Sequence, residues 1–125
     1  MILCDTNIII EFYKNQPSVI SELKKIGQEN IAVSVVTTAE LIYGVLNKRE
    51  LNQILKDISH LSELDLTPNI SKEFLNLMTQ YSLSHNLTMP DALIAATSIV
   101  HDVPLFTLNL KDFRFIPSLT LYQTV

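Results

Sequence analysis

Short apolar runs rich in β-branched residues alternate along the chain with longer stretches of helical period. Ile2-Leu3-Cys4 comes first and leads into a helix-like stretch from Thr6 to Lys14, which Gln16-Pro17-Ser18 breaks. A short helix is predicted next, with Val19, Ile20, Leu23 and Ile26 on one face. Ile31-Ala32-Val33-Ser34-Val35 reads as a second strand. From Thr38 to Lys48 the spacing is helical, since Ala39, Ile42, Tyr43 and Leu46 fall at i, i+3, i+4 and i+7, and Leu51 to Ile58 continues in the same style. Leu61 to Leu66 alternates as a strand does. Thr67-Pro68 then opens a long amphipathic helix lined by Phe74, Leu77, Met78 and Tyr81, with Pro suited to its first turn. Ala92 to Val100 is apolar nearly all round, as in a helix buried against a sheet. Leu105-Phe106-Thr107 and Leu119-Thr120-Leu121-Tyr122 read as the last two strands. Strands alternating with helices predict an α/β fold with a mainly parallel sheet and right-handed crossovers.

Length and composition narrow this further. A chain of 125 residues fits one domain, residues 1–125, and 47% apolar content is enough for a core. Thirteen acids against nine bases give a net charge of −4, so a strongly basic groove for duplex DNA is not expected. A single cysteine, Cys4, excludes an intramolecular disulfide and a multi-cysteine zinc site; in its apolar run it reads as a small buried hydrophobe. The apolar start lacks a basic leader, and no stretch reaches the roughly 18 apolar residues of a membrane span. The expectation is a soluble, cytoplasmic domain with no membrane partner.

The acids carry the chemistry. Asp5 ends the first strand, Glu40 follows the second, Asp91 opens the buried helix and Asp112 follows the strand at Leu105. In an open α/β sheet the strand ends that lead into helices form one edge, where ligand sites gather. Capping is the competing explanation. Thr37 and Glu40 have capping-box spacing, as do Thr88 and Asp91, and Asn109 and Asp112, while Asp5 suits the N-cap of the first helix. Taken singly, capping is the better account of Glu40 and Asp112 and an equal one for Asp5 and Asp91. Taken together, crowded carboxylates raise each other's pKa, so folding alone gives no reason to gather them. A hard divalent cation such as Mg²⁺ does, because it takes oxygen ligands and keeps several waters. Rival chemistries fit worse. His60, His85 and His101 lie far apart without ligand spacing, Gly27 and Gly44 stand alone rather than in a phosphate loop, and Asn7 replaces the second Asp of an Asp-x-Asp phosphatase motif.

Four blocks carry a resemblance. Ile2-Leu3-Cys4-Asp5-Thr6-Asn7-Ile8-Ile9-Ile10, Ser34-Val35-Val36-Thr37-Thr38-Ala39-Glu40-Leu41 with Gly44 beyond, Pro90-Asp91-Ala92-Leu93-Ile94-Ala95-Ala96, and Leu105 to Phe113 resemble PIN domains, particularly VapC-like toxins, in family order. The resemblance implies helices on both faces of the sheet and an endoribonuclease dependent on Mg²⁺ or Mn²⁺. It implies Asp5, Glu40 and Asp91 as catalytic metal ligands, with Asp112 preferred over Asn109 at a fourth position. Thr6 and Asn7 would orient the first acid or a water, with Thr107 and Asn109 also supporting the ligands, and Lys111 and Arg114 would contact phosphate. Water attack on RNA would leave a 5′-phosphate and a 3′-hydroxyl. A non-catalytic module that binds RNA or protein, and a phosphatase for small esters, are the alternatives. The family implies a small antitoxin as partner. The wide spread of Ile42, Tyr43, Val45 and Leu46 round their helix leaves apolar surface for an amphipathic peptide helix or for a two-fold homodimer.

Overall fold

Successive side chains of a strand point to opposite faces, and the first strand, β1 (Ile2–Cys4), sends Leu3 into one core and Cys4 into another. The computed structural model describes residues 1–124. Three further strands, β2 (Ile31–Ser34), β3 (Ser62–Leu64) and β4 (Leu105–Phe106), complete a parallel sheet of order β3-β2-β1-β4. Its register sets Leu3 opposite both Ala32 and Leu105, and Cys4 opposite Phe106.

Each face is covered by helices. Helices α5 (Pro68–His85) and α6 (Met89–His101) bury Ile70, Leu77, Ala92 and Ile94 against Leu3, Ala32 and Leu105. On the other face, α1 (Thr6–Tyr13), α2 (Pro17–Ile26), α3 (Val35–Tyr43) and α4 (Lys48–Ile58) bury Ile8, Val19, Leu23, Leu41 and Ile58 against Cys4, Val33 and Phe106. This is the expected α/β architecture. Ala92, Ala95 and Ala96 are fully buried, and their small side chains let the α6 backbone sit close to its neighbours. Cys4 is the buried hydrophobe expected; burial, with the charge of Asp5 beside it, pushes its thiol up to about 12, so it stays neutral.

Several boundaries differ from the pattern. The second strand stops at Ser34, because Ser34 Oγ accepts from the Val36 N–H at 3.0 Å and starts α3 three residues earlier than the spacing suggests. The stretch expected as one helix to Lys48 ends at Gly44. Asn47 then starts α4, its Oδ1 accepting from the Glu50 N–H, while Glu50 Oε1 accepts from the Leu46 N–H. Tyr43 and Leu46 are therefore not on a core face; they are 94% and 86% exposed. Thr107 lies just beyond β4. The run at Leu119–Tyr122 makes only a bridge, Leu121 against Leu105, and forms no strand.

Ile94, 1% exposed, should cost about 2–5 kcal/mol when changed to alanine, the usual range for emptying a packed aliphatic site. Leu83, fully exposed, should cost less than about 0.5 kcal/mol. Urea unfolding of Ile94→Ala and Leu83→Ala measures both.

Candidate active site

From β1 the chain steps to β2 and β3 on one side, then returns to lay β4 on the other, so the strand order reverses between β1 and β4. The crevice beyond the carboxyl ends of two such strands is where open α/β sheets bind ligands. Asp5 leaves β1 there, and its N–H donates to the Phe106 carbonyl of β4 at 2.9 Å. Asp5 is 5% exposed. Its Oδ1 accepts from the Thr6 N–H at 2.8 Å, so it caps α1 as well as facing the crevice. Its Oδ2 accepts from the Thr107 hydroxyl at 2.8 Å. Thr107 Oγ1 in turn accepts from Asn7 Nδ2 at 3.4 Å and the Asn109 N–H at 3.1 Å, while Asn7 Oδ1 accepts from the Leu108 N–H. The loop after β4 is thus stitched to the start of α1.

The other acids arrive from separate elements. Glu40 is exposed on α3, and its Oε1 accepts from the Thr6 hydroxyl at 2.7 Å. Asp91 lies in the first turn of α6, whose N-cap Thr88 accepts from the Asp91 N–H. Asp112 closes a 3-10 turn, Leu110–Asp112, after β4. Their charges are felt by one another. Desolvation is the largest cause raising Asp5; the bonds from Thr107 and Thr6 oppose it, and Glu40 and Asp112 push it up further. Desolvation, then the charges of Asp5 and Asp112, with a smaller push from Glu40, raise Asp91 to about 6. The two ion pairs among the described residues, Lys14–Glu11 and Lys25–Glu22, involve none of these four.

The donor set is thus all oxygen, mutually repelling and without a basic partner, which fits a hard divalent cation. Among the described residues no three acid, histidine or cysteine side chains are drawn together tightly enough to enclose an ion, so a cation here would complete its shell with water.

Two capping readings give way. Thr37 is not the N-cap of Glu40's helix, since Ser34 is; Thr37 is fully buried at the first turn, its hydroxyl 3.0 Å from that of Thr6. Asn109 makes no side-chain cap for Asp112, and its backbone N–H goes to Thr107 instead. Of the residues expected to steady Asp5, Thr6 does so only through its N–H, and its hydroxyl serves Glu40. Asn7 reaches Asp5 through Thr107. The contact of Thr37 with Thr6 was not foreseen, because the spacing of Thr37 and Glu40 suggested only a capping box. The three histidines are all exposed and apart from these acids.

A parallel α/β domain with acids converging at its switch point defines the class of protein. The PIN domain family model matches residues 2–117, and the chain belongs to that family. It is 33% identical to the Ribonuclease VapC2 of Rickettsia felis, covering 95% of this chain and 94% of that one, and 32% identical to the Ribonuclease VapC10 of Mycobacterium tuberculosis, covering 90% and 86%. Among solved structures it superposes on a chain of the promoter-DNA-bound VapBC2 of Rickettsia felis with a TM-score of 0.79 at 29% identity, covering 100% of both chains. The DNA-bound VapBC of Salmonella typhimurium gives a TM-score of 0.85 at 25% identity, covering 97% of this chain and 96% of that one.

Asp91 provides a pH test of the crowding. A carboxyl raised in the fold binds its proton more tightly folded than unfolded. Stability is therefore fully present below the unfolded value of about 4 and is lost as pH rises through about 6. Asp91→Asn lacks that loss. In EDTA, the melting temperature of the variant minus that of wild type should rise between pH 4 and 7 and then level off. A difference independent of pH, or a variant less stable at pH 7, would assign Asp91 to helix capping instead.

Proposed function

We propose that the chain is a metal-dependent endoribonuclease built as one PIN domain over its length, and the toxin of a toxin–antitoxin pair. The observation that carries this is the tie of Asp5 and Glu40 through Thr6 beside the β1–β4 switch point, with the charges of Asp5, Asp112 and Glu40 felt at Asp91, in a chain whose relatives are named as ribonucleases. Asp5, Asp91, Glu40 and Asp112 would hold Mg²⁺ or Mn²⁺. A bound divalent cation supplies polarisation of the scissile phosphate and a more acidic water. The chain's own part is positional. Thr107 and the Thr6 N–H fix both oxygens of Asp5, the Thr6 hydroxyl fixes Glu40, and the first turn of α6 carries Asp91. Exposed Lys111 and Arg114, beside Asp112, would meet the RNA phosphates. Hydrolysis by water should leave a 5′-phosphate and a 3′-hydroxyl.

Single-stranded RNA incubated with the protein and Mn²⁺ should be cut, and EDTA should stop the reaction. Asp91→Asn should abolish cleavage, and millimolar Mn²⁺ should raise the melting temperature of wild type but not of this variant. Asp112→Asn should lower turnover at least tenfold, and Asn109→Ala less, since Asn109 acts on Thr107 through a backbone N–H that alanine keeps. Equal Mn²⁺ stabilisation of wild type and Asp91→Asn would remove the metal site. Protein that binds RNA without cutting it would establish the non-catalytic module.

Partners follow from exposed apolar surface. Tyr13, Ile42, Tyr43, Leu46 and Leu55 are all exposed, and a groove of about 630 Å³ bounded by Ile10, Tyr13, Val45 and Ile54 runs beside Glu40. A small antitoxin laying an amphipathic helix there would cover both the apolar surface and one of the acids. The remaining exposed side chains would serve a homodimer. The product of the neighbouring reading frame should co-purify with the chain, and Val45→Asp should weaken that complex at least tenfold without changing the melting temperature of the free protein. Light scattering on the chain alone reads the dimer. Unchanged binding by Val45→Asp would move the antitoxin elsewhere.

A further inference from the structure

We propose that Thr37 is a positioning residue that sets the direction of Glu40 through the hydroxyl of Thr6. The inference rests on the ribonuclease reading of the site and adds to it a residue that touches none of the acids. Thr6 Oγ1 lies 2.7 Å from Glu40 Oε1 and 3.0 Å from Thr37 Oγ1. A hydroxyl has one proton, and a carboxylate accepts without donating. The Thr6 proton is therefore committed to Glu40, and the Thr37 proton must point to the Thr6 oxygen. The chain has one polarity: Thr37 donates to Thr6, and Thr6 donates to Glu40.

Thr37 has little else to do with its hydroxyl. The mid-helix threonines Thr79 and Thr97 return theirs to the carbonyl one turn back, of Leu75 and Leu93, both at 2.8 Å, whereas Thr38 beside Thr37 sends its hydroxyl to Glu63. Thr37 sits in the first turn of α3, where the residue four back, Val33, belongs to β2, and its hydroxyl turns instead to Thr6 on α1. It is fully buried, in a fold with no unpartnered buried side-chain polar atom among the described residues. A valine of the same shape would fill the space without a polar atom to satisfy, so packing does not account for the hydroxyl. Glu40, by contrast, is exposed, and among the described residues its carboxylate has no side-chain hydrogen bond but the one from Thr6. Hydrogen bonds in series polarise one another, so the rigid buried end transmits its direction to the mobile carboxylate. The relay also joins α1 to α3, which places Glu40 relative to Asp5 at the head of α1.

The test is a double-mutant cycle on Thr37→Val and Thr6→Val, with Thr37→Ser as the conservative variant. Calorimetric Mn²⁺ titration of the resting protein and RNA cleavage are the readouts. Thr37→Val should weaken Mn²⁺ binding about three- to tenfold and lower kcat more than it raises KM. Thr37→Ser should recover most of the loss, and Thr37→Val should add nothing in a Thr6→Val background. Losses that multiply, wild-type Mn²⁺ affinity in Thr37→Val, or a Thr37→Ser variant as weak as Thr37→Val would overturn the relay. Failure of the ribonuclease reading is distinct: the wild type would then neither bind Mn²⁺ nor cut RNA. The relay would in that case be judged on the same cycle read by urea unfolding, where non-additive losses support it and additive losses overturn it.

Discussion

The structure turns on one buried carboxylate. Asp5 sits at the carboxyl end of β1, almost wholly out of water, with each oxygen taken by a different element. Hydrogen bonds to a charged acceptor contribute about 1.5–3 kcal/mol each, and the cap adds its share through the helix terminus. Yet the net direction at Asp5 is upward, so desolvation and the neighbouring acids outweigh two good bonds. That is a position a protein keeps at a cost in stability. The same contacts that restrain Asp5 also fix the head of α1 against β1 and the loop after β4 against both.

Much of this architecture is readable in the chain because each strand is short and each core face is set by alternation. Leu3 and Cys4 are adjacent letters that go to opposite cores, and their parallel partners Leu105 and Phe106 repeat the division. The helices that fail the pattern are those whose boundaries are decided by single side-chain bonds. Ser34 begins α3 because its hydroxyl reaches the Val36 N–H, and no count of apolar positions contains that bond. The spacing of Ala39, Ile42, Tyr43 and Leu46 is helical in number only: α3 stops at Gly44, and Tyr43 and Leu46 are left in solvent. Tertiary context likewise reduced Leu119–Tyr122 to a single bridge, Leu121 against Leu105.

The acids were visible as acids, and the resemblance named Thr6, Asn7, Thr107 and Asn109 as their supports, but which support meets which acid was not visible. Thr6 and Asn7 stand beside Asp5 in sequence, which suggests that they serve it; in three dimensions a helical start turns them elsewhere. Thr6 sends its hydroxyl across to α3, and Asn7 sends its amide to Thr107 beyond β4. Thr107, one hundred and two positions from Asp5, is the residue that holds it. Sequence neighbourhood is a poor guide to second partners for this reason: a strand end delivers the ligand, while the residues that hold it come from whichever elements the sheet order places next to it.

The capping readings and the site readings were also less opposed than they look. Asp5 caps α1 and faces the crevice with the same carboxylate, one oxygen mainly engaged by the helix and the other by Thr107. Asp91 stands in the first turn of α6, with Thr88 as the cap, and is still raised to about 6. A helix dipole favours an anion there by about 0.3–1 kcal/mol, and it is outweighed by burial and by Asp5 and Asp112. Helix starts are where a parallel sheet ends its strands, so the positions best suited to capping and the positions that can meet at one crevice are the same positions. Asp5 and Asp91 both lie at such starts, and burial first, then neighbouring carboxylates, push both upward, where a cap's bonds alone would pull them down.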